Sequence, residues 1–382
     1  MARILILDAV VSTLSLQRGI VGAADGHTIH WYALAPMKAT APEIASITVS
    51  YTARIQQSTF VKRFLMPLDV LQLAALIRHL KIDLIHVHYA FAYLLPLAFP
   101  PSLPVIVTTM GGDILADQSY NGRFRPPWTN RLLERANAIT VKSAFLEAAV
   151  TNINPAWREK LERITWGVDT TRFRPGLDTR EIRQRHNLPD QGVILFDLRL
   201  GEPFYRKHVI LKAFARITAE VDAYLLIATY RAVPAYIEEL RQLADSLGVM
   251  ERVRFVGAIP HEDMPLYLNL ADVNIAIPPS DGLPQSLYEA MACGSFPIMS
   301  DLPQYRGLLE HGVNTLLVPA GEDDTHITAL ADAVRRIAND ADWRRRAALD
   351  NRNRILHEAN EGIEARRILT LYERLLAHRH EV

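Results

Sequence analysis

A chain of 382 residues, 49% hydrophobic and 22% charged, has the composition of an ordinary globular protein and the length for about two domains. Its formal net charge is zero, which excludes a bulk polycation built for nucleic acid. Its one cysteine, Cys293, excludes a disulfide within the chain and suits a reducing compartment. The charge is unevenly spread. Residues 1–175 hold 18 basic against 12 acidic side chains, and the remainder holds 24 against 30. A basic front half suits an anionic acceptor or an anionic membrane surface.

In chain order, residues 3–8 read as a strand, because the apolar run 4–7 is cut at once by Asp8; it is too short for a leader segment. A helix is expected over 12–24 and a turn and strand over 26–32. A helix over 67–80 is expected next, then two apolar strands over 83–87 and 105–109. The mostly apolar run 89–107 has the length of a membrane span. Pro96, Pro100, Pro101 and Pro104 break it into a short helix, a turn and a strand. Residues 130–135, 138–141 and 143–150 continue the alternation. This is a Rossmann-like half without a dinucleotide fingerprint: Gly19, Gly22 and Gly26 have the wrong spacing, so no NAD is expected. No P-loop and no H-E-x-x-H occur. Residues 164–175 read as a strand, a turn at Gly167 and an extended linker ending in Pro175.

The alternation then restarts. Strands are expected over 193–198, 223–228, 252–256, 273–278, 295–299 and 315–318. Helices are expected over 209–217, 235–247, 263–270, from 327, from 342, and over 363–377. Alternating strands and helices in both halves imply parallel sheets.

The most informative stretch is Ser280-Asp281-Gly282-Leu283-Pro284-Gln285-Ser286-Leu287-Tyr288-Glu289-Ala290-Met291-Ala292-Cys293-Gly294. It follows a run that reads as a buried parallel strand. Pro284 is expected in the first turn of a helix, where its missing N–H costs nothing, and Gly294 at the helix end. This places Asp281 in the loop and Glu289 about two turns into the helix. A helix start suits an anion, and ligands of open α/β sheets gather at strand carboxyl ends. A phosphate at Gly282–Ser286, flanked by carboxylates for sugar hydroxyls, is the chemistry this favours. The alternative is an ordinary βα turn with solvated acids.

The stretch resembles the signature of the family-four glycosyltransferases, whose two acids are separated by seven residues in the context E-G-x-P-x-x-x-x-E-A-M-A-x-G-x-P-V. Here the first acid is Asp281 rather than Glu. The segment Trp166-Gly167-Val168-Asp169 through Phe173 and Pro175 resembles the family's inter-domain segment, with Trp166 where Asn is usual. The resemblance implies a GT-B fold: two Rossmann-like α/β domains facing across a cleft. The expected divisions are 1–170 for the acceptor, 171–358 for the nucleotide-sugar, and 359–382 as a helix crossing back to the first domain.

It further implies a retaining, metal-independent transfer from a nucleotide-sugar, a UDP-sugar, to a saccharide or lipid-linked acceptor. No cofactor is expected. Arg199, just after a strand, and Lys207, at the next helix start, would grip the diphosphate. The insert at 201–204 makes Arg206 a rival for Lys207. Asp281 would orient the donor sugar and Glu289 the ribose. Gly282, Leu283, Pro284, Gln285 and Ser286 would meet the phosphates, and Gly257 and Ile259 would lie along the base. The G-x-G-P turn usual after the second strand of the back domain is replaced by Ala228-Thr229-Tyr230-Arg231.

On the front domain, His88 and Asp113 are the candidate sugar contacts. Met110 stands where the family has a histidine, and Val10-Val11-Ser12 replaces a glycine-rich loop. Glu322-Asp323-Asp324 reads as an acidic helix start rather than a metal site. The segment from Arg123 to Trp128 mixes basic and aromatic residues suited to a saccharide or a membrane interface. A cytoplasmic protein, with peripheral contact to the membrane's cytoplasmic face and no membrane span, is the expectation. Two rivals remain: a nucleotide-sugar-binding protein without turnover and a nucleotide-sugar epimerase of the same fold.

Overall fold

A computed structural model describes residues 1–8, 13–34, 47–54, 58–90, 94–115 and 127–379. The chain divides into two compact units, Met1–Gly167 with Gly362–Val382, and Val168–Glu361. The first unit runs β1 (Arg3–Asp8), α1 (Thr13–Ala24), β2 (Thr28–Ala33), β3 (Ile47–Tyr51), α2 (Thr59–His79), β4 (Leu84–His88), β5 (Val105–Thr108), α3 (Pro127–Arg135), β6 (Ala138–Val141), α4 (Ala144–Ile153) and β7 (Leu161–Arg163). The second runs α5 (Arg180–Arg185), β8 (Val193–Asp197), α6 (Lys207–Ala215), β9 (Ala223–Ala228), α7 (Pro234–Ser246), β10 (Val253–Val256), α8 (Met264–Leu270), β11 (Val273–Ala276), α9 (Gln285–Cys293), β12 (Phe296–Ser300), β13 (Leu316–Val318), α10 (Asp324–Asn339) and α11 (Ala341–Glu358). The last helix, α12 (Glu361–Arg379), returns to the first unit.

Each unit holds one sheet, in the order β3-β2-β1-β4-β5-β6-β7 and β10-β9-β8-β11-β12-β13. Every named pairing is parallel. A parallel sheet is covered on both faces, and its strands accordingly read as continuous apolar runs. Successive side chains go to opposite faces. In β1, Leu5 and Leu7 enter one core, and Ile4 and Ile6 the other. In β8, Leu195 enters one core, and Ile194 and Phe196 the other. Ile368, Leu371 and Tyr372 of α12 complete the core around Ile4, Ile6 and Trp31. Fully burying one such side chain is worth about 1.5–3 kcal/mol, so α12 is an integral layer of the first unit. In both sheets the strand order reverses at one central strand, β1 or β8, and this reversal is where open α/β sheets bind ligands.

The structure corrects several expectations. Helix α2 begins at Thr59, capped by Ser58 Oγ accepting from Val61 N at 3.4 Å, and Pro67 lies inside it. Burial of Leu73 and Ile77 outweighs the ladder bond that proline removes. Strand β3 was not anticipated, being an edge strand with no fully buried residue; nor was α5, of sequence REIRQR. The strand expected at 164 ends earlier, as β7 at Arg163. Residues 10–12 and 123–126 lie outside the described residues.

Candidate active site

The carboxyl edge of the second sheet collects opposite charges. Strand β8 ends on Asp197, whose Oδ2 accepts from Lys207 Nζ at 2.6 Å, and neither side chain is exposed. Burial pushes the carboxyl up and the ammonium down, toward their neutral forms; the opposite charge of each works against this. Lys207 therefore faces inward rather than presenting a free cation. Arg206 is separated from it by a left-handed backbone (φ 52°). Its Nε donates to Glu322 at 3.1 Å, and His208 Nε2 meets the same carboxylate at 3.3 Å. Asp323 is the N-cap of α10, accepting from His326 N at 3.1 Å, as an acidic helix start requires.

Two residues beyond Asp197, Arg199 reaches the signature loop. Its guanidinium lies 3.0 Å from Asp281 Oδ2, donates to Ser286 Oγ at 3.2 Å and stacks 4.8 Å over the Tyr205 ring. Burial is the largest influence on Arg199 and opposes its charge, but Asp281, Tyr205 and Tyr305 together outweigh it and raise the guanidinium's pKa. Asp281 Oδ1 accepts from Gly282 N at 2.7 Å, and Oδ2 also accepts from Tyr305 Oη at 3.3 Å. Burial and the neighbouring Asp281 push the Tyr305 hydroxyl well up, so it stays a donor. Both oxygens of Asp281 thus hold protein partners.

The helix start differs in detail from expectation. Leu283 is left-handed (φ 63°), Pro284 is the extended N-cap, and α9 opens at Gln285. Glu289 is therefore the fifth helical residue, a little over one turn in. Gly294, at φ 85°, closes the helix. Its N–H reaches Met291 O at 3.2 Å, while Ser295 N reaches Ala290 O at 3.0 Å, the paired bonds of a glycine C-terminus.

Glu289 Oε1 meets His261 Nε2 at 3.1 Å, and the His261 ring lies 5.5 Å from Phe173. Arg172 donates to the His261 carbonyl. Gly257 is exposed and Ile259 partly buried, on the loop that leads from β10 to His261. Cys293, one turn beyond Glu289, is buried, its thiol pushed up to about 12 by desolvation and then by Glu289; it is an inert core group. Behind Arg199, Gly201 packs where an added Cβ would come within 2.6 Å of Ala232 Cβ. Its N–H and C=O bond Tyr230 O and Val233 N, each at 2.9 Å.

The first unit's candidates are built differently. His88 is fully buried, with Nδ1 3.5 Å from Asp8 Oδ2 and its ring edge-on to His86 and Trp166. His86 bridges Tyr372 Oη at 2.8 Å and Thr108 Oγ1 at 2.7 Å. Asp113 accepts from Met110 N at 3.0 Å, Gly111 N at 2.9 Å and Ala90 N at 2.7 Å. The Asp113 carboxylate, expected to touch the sugar, here fastens the 110–113 loop to β4's end. His88, the other candidate sugar contact, lies fully buried at the end of β4.

The structure thus brings Arg199, Asp281, Gly282 and Ser286 into one network, with Lys207 buried beside it and Glu289 in a second contact. Sequence reading missed Asp197, Tyr205, Tyr305 and His261. An acid ending the apolar β8 run, ten positions before Lys207, was the one available signal. Among the described residues no three His, Cys, Asp or Glu side chains converge as a metal site.

Sequence profiles of two families divide this architecture between them. Glycosyl transferases group 1 matches residues 178–354, and Glycosyltransferase Family 4 matches residues 11–172. The chain belongs to the family-four glycosyltransferases. It is similar to a GDP-mannose-dependent alpha-(1-6)-phosphatidylinositol monomannoside mannosyltransferase of Mycobacterium tuberculosis, 28% identical over 56% of this chain and 55% of the relative. It is also similar to the N-acetyl-alpha-D-glucosaminyl L-malate synthase of Bacillus anthracis, 23% identical over 77% of this chain and 74% of the relative. The match spans about half the length of the mycobacterial enzyme. In fold, the chain is similar to the sucrose-phosphate synthase of Thermosynechococcus elongatus: TM-score 0.82, 20% identity, 99% of this chain and 100% of the other. It is likewise similar to Anabaena HepE in complex with UDP: TM-score 0.79, 19% identity, 97% and 99% covered. These matches and the two parallel α/β units make the fold GT-B.

Proposed function

We propose that this chain is a retaining, metal-independent glycosyltransferase. It moves a sugar from a nucleoside-diphosphate sugar, a UDP-sugar, to a saccharide or lipid-linked acceptor in the cytoplasm. One observation carries the reading: Arg199 is held by Asp281 and Ser286 at the start of α9, beside the sheet's reversal point. A leaving diphosphate gains negative charge as its bond to the sugar's anomeric carbon breaks, and a preorganised guanidinium beside backbone amides stabilises it. Asp281 and Tyr305 keep Arg199 in place. Lys207 adds charge from behind, close enough for its own charge to be influenced by Arg199. Glu289, fixed by His261, is the ribose acceptor group. The acceptor oxygen bonds to the anomeric carbon, and its proton passes to the departing phosphate.

The test is release of nucleoside diphosphate from UDP-glucose, UDP-N-acetylglucosamine and GDP-mannose, the last named for the mycobacterial relative. Arg199→Ala lowers turnover about 100–1000-fold, while a chelator leaves it unchanged and the product keeps the donor's anomeric configuration. Loss of activity to chelator, or wild-type turnover in Arg199→Ala, overturns the reading. The occupied oxygens of Asp281 favour one second reading, a binding protein without turnover. That protein gains thermal stability from a nucleotide-sugar yet releases no diphosphate.

A further inference from the structure

Helix α2 carries two apolar faces. Asp69, Leu73 and Ile77 are buried on one side. Val61, Phe64, Leu68 and Leu71 recur at spacings of three and four and share the opposite side. They are 37%, 70%, 52% and 65% exposed, and exposed Ala75 continues the row. The short turn Leu95–Ala98 packs against α2 and adds Leu97, 69% exposed. A contiguous apolar stripe of this size on a soluble surface marks a contact site. Among the described residues no helix is long and apolar enough to cross a membrane, so the stripe belongs to a helix that lies on something.

The charges of α2 say what. Its one acid, Asp69, is fully buried and neutralised by Arg54. Every other charged residue of the helix and its end is basic: Lys62, Arg63, Arg78 and Lys81 in sequence, with Arg78 and Lys81 exposed. The exposed charge is of one sign, so a second copy presenting the same face would meet repulsion. A helix with an apolar stripe and only basic flanks fits an anionic lipid surface.

We propose that α2 docks this protein on an anionic bilayer, with Val61, Phe64, Leu68 and Leu71 in the headgroup–acyl boundary and Arg78 and Lys81 over lipid phosphates. The docking needs no turnover and stands or falls apart from the proposed transfer reaction. It places the membrane contact on α2 rather than on the 123–128 segment.

The experiment is flotation of the full chain with phosphatidylcholine vesicles, with and without phosphatidylglycerol. Wild type floats with the anionic vesicles and is released by salt. Leu68→Glu with Leu71→Glu lowers the bound fraction at least about tenfold, while circular dichroism and melting stay as in wild type because both side chains are exposed. Arg78→Glu lowers it about fivefold or more, as a lost basic contact does. The proposal fails if wild type ignores anionic vesicles. It fails equally if the double variant floats like wild type. Sedimentation showing that the double substitution splits a dimer, with no vesicle binding by wild type, assigns the face to a second copy and overturns it.

Discussion

The central strands β1 and β8 hold the same place in the two sheets, and each ends on a buried acid, Asp8 and Asp197. Their partners differ. Asp8 faces the imidazole of His88 at 3.5 Å, and Asp197 faces the ammonium of Lys207 at 2.6 Å. Beside Asp8, the described hydrogen bonds link His86, Thr108, Thr140 and Tyr372 to one another, with the Arg18 guanidinium near enough to act on His86. Around Asp197 the polar groups are full charges, continued through Arg199 to Asp281. One topology thus supports a hydrogen-bonded strand end in one unit and an ionic one in the other. The ionic end is the one that suits phosphate, because its cations are already fixed in place.

The largest effect comes from breaking the ionic end. Lys207→Met leaves Asp197 buried without its counter-charge and lowers unfolding free energy by about 3–5 kcal/mol, whereas adding Asp197→Leu restores most of it. Urea titration of both variants decides the matter, and a single-variant cost below about 1 kcal/mol would erase the contrast between the strand ends.

The hydrogen-bonded end has a pH signature. Burial, then the charges of His88 and Arg18, hold His86 well below its ordinary value near 6.5. The unfolded chain takes up a proton below pH 6.5 and the folded chain does not. Stability therefore falls as pH drops below 6.5, by up to about 1.4 kcal/mol per pH unit from this group. His86→Phe flattens that slope whatever its own cost. An unchanged slope would mean that His86 is charged in the fold.

A smaller contrast lies in the helix starts. Ser143 caps α4, accepting from Leu146 N at 3.2 Å, whereas α9 has Pro284 at its cap, with no side-chain bond. Ser143→Ala costs about 1 kcal/mol in thermal melts. Pro284→Ala has no capping bond to lose, so an equal loss there would show that its role is conformational.

The fold was legible because fully covered parallel strands leave apolar runs that need no partner to be recognised. Half-exposed β3 left none, and Pro67 masked the first two turns of α2. The signature loop and Arg199 were legible as residues, but their pairing was not. Arg199 and Ser286 lie 87 positions apart, and nothing local says that Asp281 will turn both oxygens toward protein groups. His88 and Asp113 were drawn from strand ends that look open in sequence. Their burial is something only the packed sheet reveals.

Gly201 has a practical consequence for anyone reshaping this protein. Its missing side chain lets the 201–204 insert and the turn at Tyr230–Val233 clasp each other, and an added Cβ would meet Ala232 Cα at 2.8 Å. Randomised libraries that include position 201 would lose most of their members to a damaged scaffold before any selection for new sugars began. Libraries that keep the glycine and vary Glu202 and Phe204 would search the same neighbourhood with the framework intact.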